Sequence, residues 1–192
     1  MNVNAVFLDR DGTINFDPGY ISDPDQIILI PGTAKALSEL KSKYDFKLIV
    51  VSNQSGIARG IMSSEDVDRV NKRINELLMP EKVQIDDFFY CPAHPDFSTE
   101  DECSCRKPSA EMVFKAAEKH NINLSSSYLV GDSVADIECG INAGLKTILV
   151  KTGNGMASLS ILQNENKFPS FVAEDISEAC KLIIKDFSGA NK

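Results

Sequence analysis

An α/β fold, a three-layer sandwich around a mainly parallel sheet, is predicted by two features of this 192-residue chain. Short apolar runs alternate with amphipathic stretches, the pattern of repeated βα units. Polar residues then follow strand after strand, at the carboxyl edge where open α/β sheets meet their ligands. Strands are read at 3–8, 46–52, 85–90, 127–130, 146–150 and 171–173, and helices at 33–43, 64–78, 109–120, 133–143 and 176–186.

The first strand is carried by Ala5-Val-Phe-Leu8 and the second by Leu48-Ile-Val-Val51, runs apolar enough to be covered on both faces. Ser63 and Ser64 ahead of Glu65 and Asp66 open the second helix, and Pro80 stops it. Pro108 favours an extended Lys107 followed by a helix start. Gly144 closes the fourth helix, and Asp175 caps the fifth. One domain over 1–187 follows, with a frayed tail at 188–192 and no repeat or low-complexity linker.

Composition narrows the functions open to it. An apolar content of 43% is ordinary for a globular protein, and a net charge of −8 without a basic cluster argues against a nucleic-acid partner. No run approaches the ~20 apolar residues of a membrane helix, and Met1-Asn-Val-Asn4 lacks the basic start of a signal peptide. The expected compartment is the cytoplasm, the expected state a monomer and the expected partner a small molecule. Five cysteines, three of them between 91 and 105, suggest metal binding rather than a disulfide framework in such a chain.

Phe7-Leu-Asp-Arg-Asp-Gly-Thr-Ile-Asn15 sets Asp9 and Asp11 directly behind a buried strand. An aspartate can attack phosphorus, but anion then meets anion, and a divalent cation is needed between carboxylate and phosphoryl oxygens. Asp9 is read as nucleophile and metal ligand. Asp11 is read as the group that donates and then accepts the leaving-group proton, with its backbone carbonyl facing the metal. Asp-x-Asp-Gly also occurs in turns and calcium loops, but an EF-hand opening at Asp9 would need its bidentate Glu where Tyr20 stands.

Three further stretches supply the remaining parts. Ser52, at the end of the second strand, offers its hydroxyl to a phosphoryl oxygen with the Asn53 amide beside it, and Gly56 and Gly60 would let backbone approach a ligand. Lys107 neutralises the transferring group as a point charge, while Arg106 offers a fork for a second phosphate. Asp132, in a Gly-Asp step at another strand end, is the third contributor to a magnesium site, and Asp136, one turn on, orients Lys107 or the metal ligands. Cys91, His94, Cys103 and Cys105 have the composition of a structural zinc site around a polar loop, 96–102. His120 reads as surface.

Asp9-x-Asp11-Gly-Thr13, Ser52-Asn53, Lys107 and Gly131-Asp132 resemble, in order and spacing, the four motifs of the haloacid-dehalogenase-like phosphohydrolases, over roughly 4–152. Within that family the strings Asn53-Gln-Ser-Gly-Ile-Ala-Arg-Gly60 and Cys103-x-Cys-Arg-Lys-Pro108 look most like sugar-bisphosphate phosphatases. The resemblance implies a Rossmann-like fold with no large cap domain, a magnesium-dependent hydrolase and substrate contacts at Asp17, Gly19, Tyr20, Ser52, Asn53, Gln54, Ser55, Arg106 and Lys107. It departs from the family at Ala93, where the zinc-binding pattern has His and this chain has His94 one residue late, and at Ser133, where Lys is frequent. Histidinol-phosphate hydrolysis, a non-catalytic zinc-stapled interaction module and phosphotransfer to another sugar are the competing readings.

Overall fold

Alternate side chains of β1 (Ala5–Leu8) enter opposite faces of one sheet, Val6 and Leu8 joining one apolar cluster and Ala5 and Phe7 another. This is the period-two signature of a strand buried on both sides. The computed structural model describes residues 3–190. In it β1 is joined by β2 (Lys47–Asn53), β3 (Asp87–Cys91), β4 (Tyr128–Gly131), β5 (Lys146–Val150) and β6 (Phe171–Ala173). All pair in parallel, in the order β3-β2-β1-β4-β5-β6.

Helices α1 (Thr33–Tyr44), α2 (Ser64–Leu78) and α7 (Ile176–Ala190) supply Leu37, Val70, Ile74 and Ile183 to the first cluster. On the other face, α4 (Glu111–His120) and α5 (Val134–Asn142) supply Val113, Ala116 and Cys139. Ile137 and Leu149 pack with Leu162 of α6 (Gly155–Asn164). The predicted three-layer α/β sandwich is therefore the observed one. A single turn, α3 (Glu100–Cys103), interrupts the long loop after β3, opened by a capping box between Thr99 and Glu102.

Several boundaries move by one or two residues. The helix predicted from 109 starts at Glu111, because Ser109 turns back onto Arg106 and its hydroxyl accepts the Glu111 N–H. The last helix runs on through Ala190, so 188–190 are helical where a frayed tail was expected, and residues 191–192 lie outside the described residues. Helix α6 was not predicted. It begins with glycine and leaves Met156 and Ile161 exposed, which blurs the apolar stripe that would announce it.

The strand order defines where the site lies. From β1 the chain builds outward through β2 and β3, then returns to the other side of β1 with β4. The crevice at such a reversal opens at the carboxyl ends of the two central strands. Asp9 follows one and Asp132 the other, and the Asp9 N–H donates to the Val130 carbonyl at 2.9 Å.

Candidate active site

A cleft of about 440 Å³ at this edge is lined by Asp9, Asp11, Asp17, Gly19, Tyr20, Ser52, Asn53, Gln54, Ser55, Lys107, Asp132, Ser133 and Asn154. Carboxylate oxygens of Asp9, Asp132 and Asp136 lie within 4.8 Å of one another. Burial pushes the Asp9 carboxyl well above its ordinary range, against the pull of Lys107 and with further upward pressure from Asp136 and Asp132. Burial likewise pushes Asp132 up to about 6, although the Asn154 N–H opposes it. Crowded, desolvated acids of this kind suit a hard divalent cation with oxygen ligands.

Lys107 is the cation among them. Its Nζ donates to Asp9 Oδ1 at 2.6 Å, Asp136 Oδ1 at 2.5 Å and the Val51 carbonyl at 2.7 Å, which uses all three donors. Burial alone would lower its pKa, but Asp136 and Asp9 outweigh that and hold it above the usual lysine range. Asp136 Oδ2 is occupied by the Ser133 hydroxyl and N–H, the capping box that opens α5. Asp136 thus orients Lys107, and Ser133, in place of a frequent lysine, is the N-cap.

Asp11 turns elsewhere. Its two oxygens accept from Arg10 Nε at 3.1 Å each, from Arg10 Nη2 at 2.8 Å, from Asn15 Nδ2 at 3.0 Å and from Gln54 Nε2 at 3.1 Å. Burial would raise its pKa, yet the Arg10 charge and these hydrogen bonds bring it below the ordinary carboxylate value. The Asp11 carboxylate therefore does not belong to the acidic trio, and any metal contact from this residue would fall to its backbone.

The remaining predicted contacts divide. Asp17, Gly19 and Tyr20 form one rim, with the Gly19 N–H donating to Asp17 Oδ1 at 2.8 Å. Ser52 Oγ accepts from Gln54 Nε2 at 2.7 Å. The Asn53 side chain faces backbone, bonding the Lys107 carbonyl at 3.2 Å and N–H at 3.0 Å, so that it fixes the chain carrying Lys107. Arg106 is not among the lining residues, and its Nη1 donates to the Ala93 carbonyl at 3.1 Å. Gly56 and Gly60 do not line the cleft either. A Cβ at Gly56 would strike Met62 and Tyr20, while Gly60 has a left-handed φ of 68°.

The zinc expectation is overturned. Cys91 and Cys105 form a disulfide, and sulfurs bound to each other have no thiolate to offer a metal. Cys103 packs beside the second core cluster, and the His94 ring contacts Arg59 at 2.7 Å and the Asp96 N–H at 3.2 Å. The four do not converge, and among the described residues the one cluster fit for a metal is the acidic trio. The disulfide is also contrary to the metal-binding reading of the cysteines. It closes the polar loop 96–102 covalently, with no metal. His120 is another correction: it is partly buried and pairs with Asp87 at 2.7 Å.

Sequence reading missed Arg10 and the stretch after β5. The Asn154 N–H donates to Asp132 Oδ2 at 2.7 Å and Thr152 Oγ1 to the Gly12 carbonyl at 2.6 Å. Gly12 and Gly153, with φ of 84° and 56°, both lie against Asp132 Oδ2, where any Cβ would collide with it. The signal available was positional, since Thr-Gly-Asn-Gly stands at a fifth strand end.

A parallel sheet with paired acids, a buried lysine and a serine at its reversal point defines a phosphohydrolase of the haloacid-dehalogenase-like class. A family model described as HAD-hydrolase-like matches residues 104–179. The chain is 40% identical over 187 residues to D-glycero-D-manno-heptose-1,7-bisphosphate 7-phosphatase of Chlorobaculum tepidum, covering 93% of this chain and 92% of that one. It is 41% identical to D-glycero-beta-D-manno-heptose-1,7-bisphosphate 7-phosphatase of Escherichia coli K12, covering 79% and 81%. A solved D,D-heptose 1,7-bisphosphate phosphatase from B. bronchiseptica, complexed with magnesium and phosphate, superposes with a TM-score of 0.85 at 30% identity over 96% of this chain and 99% of that one. The chain belongs to the haloacid-dehalogenase-like phosphatases and is a phosphoric monoester hydrolase resembling these heptose enzymes.

Proposed function

We propose that the protein removes the C7 phosphate of D-glycero-D-manno-heptose 1,7-bisphosphate through an aspartyl-phosphate on Asp9, in nucleotide-activated heptose synthesis for surface carbohydrate such as lipopolysaccharide. The observation that carries this reading is the placement of Asp9, Lys107, Ser52 and Asp132 on one cleft in a chain 40% identical to the Chlorobaculum enzyme. The cytoplasm and a monomeric state belong to the same reading. Among the described residues no helix is long and apolar enough to cross a membrane.

The chemistry follows from the contacts. Asp9 attacks phosphorus, the bond to the sugar oxygen breaks, and that oxygen leaves with its electron pair and takes a proton from Asp11. Water then attacks the phosphoryl group, gives its proton to Asp11, and releases inorganic phosphate and the Asp9 carboxylate. Asp11 is ionised at rest, and a phosphate dianion placed beside it opposes that charge and lets it hold the proton the first step needs. Lys107 has no idle donor, so one must pass to a phosphoryl oxygen. Its bond to Asp9 is the one that attack weakens, because Asp9 loses its anionic charge on bonding phosphorus. Ser52 meets a second phosphoryl oxygen. Asp9, Asp132 and the Asp11 carbonyl would hold magnesium, which supplies neutralisation between the attacking carboxylate and the phosphoryl oxygens.

A phosphate-release panel over sugar bisphosphates, with both heptose anomers and histidinol phosphate, tests the assignment. The heptose bisphosphate should give the highest kcat/KM. Preference for histidinol phosphate would overturn it.

A further inference from the structure

Among the described residues Arg10 is the largest side chain that is fully buried, and it stands between the two acids of the opening motif. A guanidinium without water needs acceptors on every side. Besides the three contacts to Asp11, its Nη2 donates to Gln54 Oε1 at 2.9 Å and its Nη1 to Asn71 Oδ1 at 3.3 Å. Gln54 in turn donates to both Asp11 and Ser52. Every partner of the Arg10 guanidinium except Asn71 therefore lines the cleft, and Asn71 anchors it to α2.

We propose that Arg10 is a positioning residue for Asp11, holding its carboxylate in the one orientation from which it can serve the leaving oxygen and then the incoming water. This rests on Asp11 being the proton carrier of the proposed reaction. The planar fork is what suits Arg10 to the task, because it grips both carboxylate oxygens and the neighbouring amide at once. A lysine at this position would offer one nitrogen and fix a distance without fixing a plane.

The test separates the two half-reactions with p-nitrophenyl phosphate, followed by stopped flow. Its first step needs no proton, since nitrophenolate leaves unaided, while the second still needs Asp11 to take the proton of water. In Arg10→Met the first turnover should stay within about threefold of the parent and the steady state should fall about 10- to 100-fold. The trace then shows a burst of nitrophenolate stoichiometric with enzyme. On the heptose bisphosphate kcat should fall with little change in KM, and Arg10→Lys should recover part of the loss. Equal slowing of both phases would mean a general loosening of the cleft and would overturn the proposal, as would no change. If the Arg10 variants do not fold, Asn71→Leu, which removes the tether to α2 alone, should slow only the second phase, by about 3- to 10-fold. An unchanged second phase there also overturns it. Turnover surviving in Asp9→Asn would instead sink the phosphoenzyme reading itself.

Discussion

Lys107 Nζ and Asp136 Oδ1 lie 2.5 Å apart with both side chains shut off from solvent, and the same nitrogen reaches Asp9 at 2.6 Å. Two carboxylates, one behind β1 and one in the first turn of α5, thus share one ammonium. Lys107→Met should leave both without a cation and destabilise the metal-free protein by about 3 to 5 kcal/mol, the usual result of breaking a buried pair. Asp136→Asn keeps an acceptor for Lys107 and should cost less. Urea denaturation of the two variants in chelator checks the order, and a reversal would mean that Asp136 matters more for its cap than for the lysine.

Asp9→Asn should abolish turnover, because an amide cannot attack phosphorus and ligates magnesium poorly. Asp11→Asn should keep substrate binding and lose most of kcat. Calorimetric binding alongside steady-state kinetics distinguishes them. Near-normal turnover in purified Asp9→Asn is the outcome that excludes the mechanism.

The raised pKa of Asp132 sets a pH dependence. A carboxyl whose folded pKa exceeds its unfolded value favours the fold while protonated. That contribution is whole below its unfolded pKa of about 3.9 and is lost as pH rises through about 6. Magnesium competes with the proton, so the melting temperature gained from millimolar magnesium should be larger near pH 8 than near pH 5, roughly. Asp132→Asn should flatten that difference. A larger gain at the acid end would contradict the assignment.

Arg106→Ala should mainly raise KM for the bisphosphate and leave a monophosphate little affected. The guanidinium would exchange its bond to the Ala93 carbonyl for the non-reacting phosphate, a charge-assisted contact worth about 1.5 to 3 kcal/mol, or roughly 10- to 150-fold. Equal losses on both substrates would move Arg106 to the chemical step.

With the Cys91–Cys105 bridge in place, denatured but unreduced protein should titrate three thiols, from Cys103, Cys139 and Cys180. Cys105→Ser should lower stability by about 3 kcal/mol, the value for a loop of this length. Five reactive thiols, or zinc released on denaturation, would exclude the bridge.

What could be read in advance tracks how strongly burial writes itself into a sequence. Ala5-Val-Phe-Leu8 and Leu48-Ile-Val-Val51 had to be interior strands, because few other elements need short runs apolar on both faces. Asp9 and Asp132 were legible for the same reason, as charges standing where a buried strand stops, and Lys107 through its place ahead of Pro108 and a helix start. Arg10 and Asn71 were not, since nothing in an arginine flanked by two aspartates or a mid-helix asparagine says that it is buried. Helix α6 hid behind serines and exposed apolar residues. The cysteines misled because the spacing that can clamp a metal also lets two sulfurs meet across a loop.

Gly12 and Gly153 close on Asp132 from two loops, and neither brings a functional group. In a saturation-mutagenesis screen for phosphatase activity both positions should nonetheless score as strictly as the reacting acids. The losses would come from crowding, with even alanine forced into a left-handed backbone and onto a carboxylate. A map of intolerance for this enzyme therefore marks vacant volume as well as chemistry, and the two are told apart by asking whether a substitution changes what binds or only whether Asp132 can stay where it is.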